Sequence, residues 1–333
     1  MKLGYVMLLY CAALSGCDVS NDLAFFKQSA WQPALRCVTL TAPTDGADIS
    51  DLVPVGDTAF AAVFPNEREI ITYNRTMQPI HRLQLETHGP RGVRNAVSAA
   101  VSDTVLFVAD DAANVIKKFD RDGRERGVVQ LSFVPRRLRL SGGQLLVTPL
   151  VAGTVPSHLL FTIKADKAVA LGAPIAQYQD IGVNTLANMA SIAVFPRRVV
   201  LLHEIVVPFG YAFDWSRRNR LNRFAVPLAE EVRERVRRLP KEPITEKNVN
   251  KLTVVAFAAT AGLDDGHTYY VTRIGDGERR SYRKLLVELD SKMQLHAVYP
   301  INVHPHHMVF LSQPRAIVAV DAGSNWFECK LPD

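Results

Sequence analysis

The sequence predicts an all-β protein: a six-bladed β-propeller closed by an N-terminal strand, with a short helical insertion between blades 4 and 5. Three observations lead there. First, residues 57–85 (DTAFAAVFPNEREIITYNRTMQPIHRLQL) align without a gap on residues 103–131 (DTVLFVADDAANVIKKFDRDGRERGVVQL), an offset of 46. Second, an apolar run ending in a large apolar residue and then a polar one recurs at Tyr73-Asn74, Phe119-Asp120, Ile163-Lys164, Phe213-Asp214, Leu289-Asp290 and Phe327-Glu328. Third, the last unit runs out of chain after three strands, while a strand-like stretch, LRCVTLT at 35–41, stands unassigned ahead of the first.

Taken in order, residues 1–16 open with Lys2, continue as an almost unbroken apolar run from Leu3 to Leu14, and end in two small residues. A run of about a dozen apolar residues is too short to cross a bilayer roughly 30 Å thick. A positive start, a short apolar stretch and small residues before a cut make a secretory signal peptide. Leu14-Ser15-Gly16-Cys17 then resembles the lipobox of bacterial lipoproteins. The resemblance implies cleavage after Gly16, a diacylglyceryl thioether on Cys17 and an acylated amine. Each buried methylene contributes about 0.8 kcal/mol, so two or three chains hold where one barely does. Asp18 resembles the enterobacterial signal for retention in the inner membrane, a lean rather than a rule. The expected location is therefore the bacterial cell envelope, lipid-anchored and facing the periplasm.

Residues 17–34 show no clean period and read as a lipidated tether. Phe25, Phe26 and Trp31 within it are available to pack on the domain or to touch membrane or a partner. The propeller domain is placed at 35–333. Cys11 leaves with the leader and Cys17 takes the lipid, so Cys37 and Cys329 remain, and in an oxidising compartment a pair of thiols forms a disulfide. That bridge closes nearly the whole chain, which the chain-entropy model values at roughly 4 to 5 kcal/mol. It requires neighbouring termini, and LRCVTLT as the fourth strand of the last blade supplies them.

Four short strands per unit of about 45 residues is the period of a propeller blade. The runs (TAFAAV, TVLFVA, QLLVTP, RVVLLH, TYYVTR, AIVAVD) are short and rich in β-branched and aromatic residues, as strands packed on both faces require. Innermost strands are expected at SAAV, RRLRL, SIAVF, TVVAFA and HMVFL. A β-sandwich has the right strand lengths but leaves the offset of 46 unexplained. On residues 104–123 (TVLFVADDAANVIKKFDRDG), echoed at 284–294 (KLLVELDSKMQ), the chain resembles the NHL and TolB-like group of six-bladed propellers, specifically exported bacterial lipoproteins. The resemblance implies architecture; the group hosts binding proteins and enzymes alike.

A gap of 76 residues between the fourth and fifth signatures marks the insertion. Within 214–247, Leu228, Val232, Val236 and Leu239 recur at helical spacing and Pro240 stops the run. From Arg217 to Lys247 there are ten Lys and Arg and five Glu, with Arg217, Arg218, Arg220 and Arg223 clustered ahead of the expected helix. A charge run is ordinarily a solvated face; on a tethered protein it is also a candidate contact for anionic headgroups or an acidic partner. The whole chain is only mildly basic at +6. Nucleic acid is not expected as a partner, because its binding calls for a concentrated basic patch with aromatic stacking residues.

NVHPHHMVF places His304, His306 and His307 just before an innermost strand, at a mouth of the channel. His304 and His306 are the candidate metal ligands, imidazole being a common ligand of Zn and Cu. His203-Glu204 and Asp110-Asp111 end second strands, and Asp110-Asp111 reads as fixing a turn. No nucleophile elbow, glycine-rich phosphate loop or paired-cysteine zinc signature is present. The expectation is a monomeric, non-catalytic binding scaffold for an envelope protein, peptide or glycan, without a cofactor. The alternative is a metal-assisted, lactonase-like hydrolase at the channel mouth.

Overall fold

In a computed structural model of the chain, the described residues are 26–332 apart from 42–45, 87–88, 90–91, 152–155, 176–180, 204–208, 215–219, 230–259, 263–265, 275–282 and 313–314. They form six four-stranded antiparallel sheets. After β1 (Cys37–Leu40), blade 1 holds β2 (Asp51–Val55), β3 (Ala59–Phe64), β4 (Glu69–Asn74) and β5 (Pro79–Gln84). Blade 2 holds β6 (Ala96–Val101), β7 (Leu106–Asp110), β8 (Val115–Phe119) and β9 (Glu125–Gln130). Blade 3 holds β10 (Val134–Ser141), β11 (Gln144–Leu150), β12 (His158–Lys164) and β13 (Lys167–Pro174). Blade 4 holds β14 (Ala190–Val194), β15 (Arg198–His203), β16 (Phe209–Asp214) and β17 (Arg220–Ala225). Blade 5 holds β18 (Thr260–Gly262), β19 (Thr268–Ile274), β20 (Arg283–Leu289) and β21 (Leu295–Ile301). Blade 6 holds β22 (Pro305–Leu311), β23 (Ala316–Asp321), β24 (Trp326–Lys330) and, outermost, β1. Each inner strand lies beside that of the next blade, and β22 returns to β2, closing the ring.

The closure is as the sequence predicts. β1 pairs antiparallel with β24, Cys37 stands opposite Cys329, and the two form a disulfide. Asn302 reinforces the seam: its carbonyl accepts from the Cys37 amide at 2.9 Å and its amide donates to the Cys37 carbonyl at 3.1 Å. On the other side of blade 6, Trp326 packs against Phe60 and Tyr73 of blade 1, with ring centroids 5.9 and 6.1 Å away. All three are fully buried, and each such side chain contributes about 1.5–3 kcal/mol on leaving water. Cores of this kind sit between every pair of neighbouring blades, which is why strands exposed on neither face read as unbroken apolar runs.

The recurring signature has a physical cause. In blades 1, 2 and 5 its polar member sits where the third strand turns into the fourth, and its side chain caps that turn. Asp120 Oδ1 accepts from the amides of Asp122 and Arg124 at 3.0 and 2.8 Å, and Asp290 Oδ1 does the same for Lys292 and Gln294 at 2.8 and 2.9 Å. Asn74 accepts from the Gln78 amide at 2.9 Å. The fourth turn residue is left-handed each time: Met77 (φ 62°), Gly123 (φ 77°) and Met293 (φ 63°). In blade 6 the same device appears one hairpin earlier, at Asp321 with Ser324 at φ 58°. Phe327-Glu328 therefore lies inside β24 rather than at its end.

One expectation is corrected, one finds no support and one falls outside the described residues. Residues 220–225, read as part of the insertion, are the outer strand of blade 4, with Arg220 opposite Asp214 and Ala225 opposite Phe209. The alternation in Arg220–Ala225 meets the unpaired edge of β16, and the ladder hydrogen bonds decide its conformation. The helix expected over Leu228–Leu239 has no support: Leu228 sits in an isolated bridge and the stretch from 230 onward lies outside the described residues. Among the described residues the α-helix is α1 (Ile181–Ala187), between blades 3 and 4. The expected inner run of blade 5, TVVAFA at 253–258, also lies outside the described residues, and β18 is the inner strand that pairs with β19.

Residues 26–35 lie against the ring. Trp31 and Leu35 bridge in parallel to Val298 and Ile301 of β21, and Phe26 donates to the Leu228 carbonyl at 2.8 Å. Phe26 packs with Ala30, Leu228 and Val298 in the core between blades 4 and 5, while Trp31 is 36% exposed. Phe25 and Cys17 lie outside the described residues.

Candidate functional site

Inner strands start at one face of the ring, here the upper, and end at the lower. Second strands start at the lower face, third strands end there and outer strands start there. Three places on this frame bring chemistry-bearing residues together.

The first is the channel. Asp51, at the head of β2, is 1% exposed. Arg139 of β10 grips it bidentately, Nη1 to Oδ2 at 2.6 Å and Nη2 to Oδ1 at 2.9 Å. Ser98 of β6 donates to Oδ2 at 2.5 Å, and Arg137 stands 3.6 Å from Oδ1. Burial alone would raise the Asp51 pKa, but Arg139, Arg137 and His307 outweigh it and hold it at about 2, against an ordinary 3.8. A buried carboxylate stays ionised only with partners of this kind. Blades 1, 2 and 3 are thus stitched across the channel by one polar cluster. Below it, a cavity of about 270 Å³ opens among the ends of the inner strands, with Arg139, Ser141, Phe195, Phe310 and Ser312 in its wall.

The second is the upper mouth. His304 and His306 face each other edge-to-face with centroids 5.6 Å apart, the former half-buried and the latter exposed. Among the described residues they are not joined by a third ligating group. Asp110, near the same face, is a turn-fixing residue as read: it accepts from the amides of Arg94 and Asn95 at 2.8 and 3.2 Å. His203 is buried and its Nδ1 donates to the Ala187 carbonyl at 2.8 Å, tying α1 to β15.

The third was not singled out from the sequence. His267, Glu288 and His296 of blade 5 offer ligand atoms that all lie within 4.8 Å of one another. His267 precedes β19, Glu288 is next to last in β20, and His296 is in β21. The outer members are 29 positions apart in the chain, so only strand register brings them together. The readable signal was Glu288 itself, an acid after the apolar run LLV in the third strand, where the equivalent residues of blades 1 to 4 are Thr72, Lys118, Thr162 and Ala212.

Of the basic cluster, Arg217 and Arg218 lie outside the described residues. Arg220 and Arg223 are on β17, and Arg223, exposed, lays its guanidinium 3.7 Å from the centroid of the Phe209 ring. A face of this kind is ordinary for an outer strand.

No protein-family model and no curated protein matches the chain. Solved structures match by shape. A member of the DUF4221 family from Bacteroides vulgatus superposes with a TM-score of 0.60 at 7% identity, over 89% of this chain and 98% of its own. A Bacteroides fragilis protein described as exported gives 0.58 at 8% identity, over 90% and 98%. A gluconolactonase from Xanthomonas campestris gives 0.54 at 12% identity, over 87% and 89%. At these identities the likeness is one of fold. It extends over nearly the whole propeller, and among the described residues no helix is long and apolar enough to cross a membrane.

Proposed function

We propose that the protein is a lipid-anchored envelope propeller, held by Cys17 and facing the periplasm, that binds a protein, peptide or glycan without transforming it. The observation that supports binding over hydrolysis is the state of the channel. Hydrolytic propellers of the lactonase kind gather carboxylates around a channel metal, whereas the acid in the described inner strands, Asp51, is committed to Arg139 and Ser98. A carboxylate neutralised by a bidentate guanidinium is a poor metal ligand and a poor base. The cavity beneath it, about 270 Å³, sits at the small end of ligand pockets and admits one side chain or one sugar ring. It suits recognition of a protruding group on a larger partner.

A photo-reactive residue at Ser312, on the cavity wall, is expected to cross-link a partner in intact cells. The same residue at Val128, on the outer strand of blade 2, is expected not to. Cys17→Ser is expected to move the protein out of the membrane fraction and to abolish incorporation of labelled palmitate. Turnover of a simple lactone by the purified chain, abolished by Asp51→Asn, would replace this reading with the hydrolase.

A further inference from the structure

We propose that His267, Glu288 and His296 form a binding site for a divalent transition-metal ion of the Zn²⁺ class, on the lower rim of blade 5 against blade 6. Two imidazoles and a carboxylate are a ligand set that borderline metals such as Zn²⁺ take up readily, and with three protein ligands a water completes the coordination.

The carboxylate is built for this. Glu288 is 2% exposed, yet it lies on the rim rather than in an apolar core. Tyr269, directly opposite it on β19, donates to Oε1 at 2.7 Å, and Tyr299 of β21 donates to Oε2 at 3.0 Å. The two phenols, donating to opposite oxygens, fix the orientation of the carboxylate, as the outer partners of ligating groups do at metal centres. Arg315 of blade 6, which donates to the Tyr269 hydroxyl at 3.1 Å, stands 3.7 Å from Oε1 and holds the pair from the far side.

The histidines converge on the same carboxylate for reasons visible in the backbone. His267 Nδ1 lies 2.5 Å from Glu288 Oε1. His296 is the extra residue of a β-bulge: Leu289 pairs with Leu295 and Glu288 with Ala297, leaving His296 unmatched. Bulges re-aim side chains next to functional sites. The same bulge occurs in blades 1 and 2, where the unmatched residues are Ile80 and Arg126. There Ile80 is exposed and Arg126 pairs with Asp120. In blade 5 the bulge instead brings an imidazole over the buried acid, with the His296 and His267 rings edge-to-face at 5.1 Å. Bonds of about 2.1 Å to a tetrahedral ion put donor atoms about 3.4 Å apart, so His296, which is exposed, completes the set by a small rotation.

The full chain, purified without chelator or immobilised metal, is titrated with Zn²⁺ by calorimetry and with Co²⁺ by its visible absorption. One ion per chain is expected, with affinity falling as pH falls because imidazole must be neutral to ligate. His296→Ala, an exposed change that leaves the fold intact by circular dichroism, is expected to abolish the Co²⁺ spectrum. Tyr299→Phe, which removes an outer donor, is expected to weaken binding about tenfold, and His306→Ala at the upper mouth to change nothing. Absence of saturable binding, binding that survives His296→Ala, or binding lost with His306→Ala would each overturn the assignment.

Discussion

Asp51 and Glu288 are both buried carboxylates, 1% and 2% exposed, and they are held in opposite ways. Asp51 is gripped by guanidinium groups that never lose their charge, from strands of another blade. Glu288 is held by the phenols of Tyr269 and Tyr299 and the imidazole of His267 in its own blade, with Arg315 3.7 Å off. The first arrangement is closed: each partner satisfies the other and nothing is left to exchange. The second presents an oriented carboxylate beside two groups that readily take a cation. Burial alone therefore says little about a carboxylate's role; the permanence of the compensating charge says more.

The contrast is broken most sharply at Arg139. Arg139→Ala leaves Asp51 buried without its main partner and is expected to cost about 3–5 kcal/mol in denaturant unfolding. Replacing both, as Asp51→Leu with Arg139→Met, is expected to restore most of that. The same amide substitution then separates the two sites. Asp51→Asn strands the Arg139 charge and is expected to cost about 3 kcal/mol. Glu288→Gln keeps a carbonyl oxygen to accept from Tyr269 and turns its amide NH2 toward the Tyr299 hydroxyl, which then accepts, and is expected to cost about 1 kcal/mol. Equal losses would mean that the two acids are equivalent.

The acid response follows from Asp51. Its pKa is lowered in the fold, so its contribution is complete above the ordinary carboxylate value of 3.8 and is lost as pH falls through about 2. The groups facing it are Arg139, Arg137 and His307. The stability lost across that window is expected to be roughly 2 kcal/mol, and Asp51→Asn should flatten it. The smallest effect is at Tyr299: without metal, Tyr299→Phe removes one hydrogen bond to Glu288 and is expected to cost about 1 kcal/mol.

What the sequence disclosed and what it hid have a common explanation. Asn74, Asp120 and Asp290 were legible because turn capping acts over four residues, so the pattern sits in consecutive letters. Cys37 and Cys329 were legible because blade count and cysteine placement constrain the same seam. The outer strand at 220–225 was hidden by its arginines, since an outer strand buries only one face and tolerates charge on the other. The His304 and His306 pair drew notice through proximity in the chain. His267, Glu288 and His296 did not, because they meet through cross-strand register and one bulged residue. A closer reading of the repeat would have found Glu288, since blades 1 to 4 carry no acid at that step of their third strands.

The contrast between a locked channel and an open rim is tested most directly by anomalous diffraction at the zinc edge, from crystals of the full chain grown with Zn²⁺. A single peak enclosed by His267, Glu288 and His296, with none beside Asp51, is the expected result. A peak in the channel at Asp51, or between His304 and His306 with none at blade 5, would contradict it and return the channel mouth to the centre of the protein's chemistry.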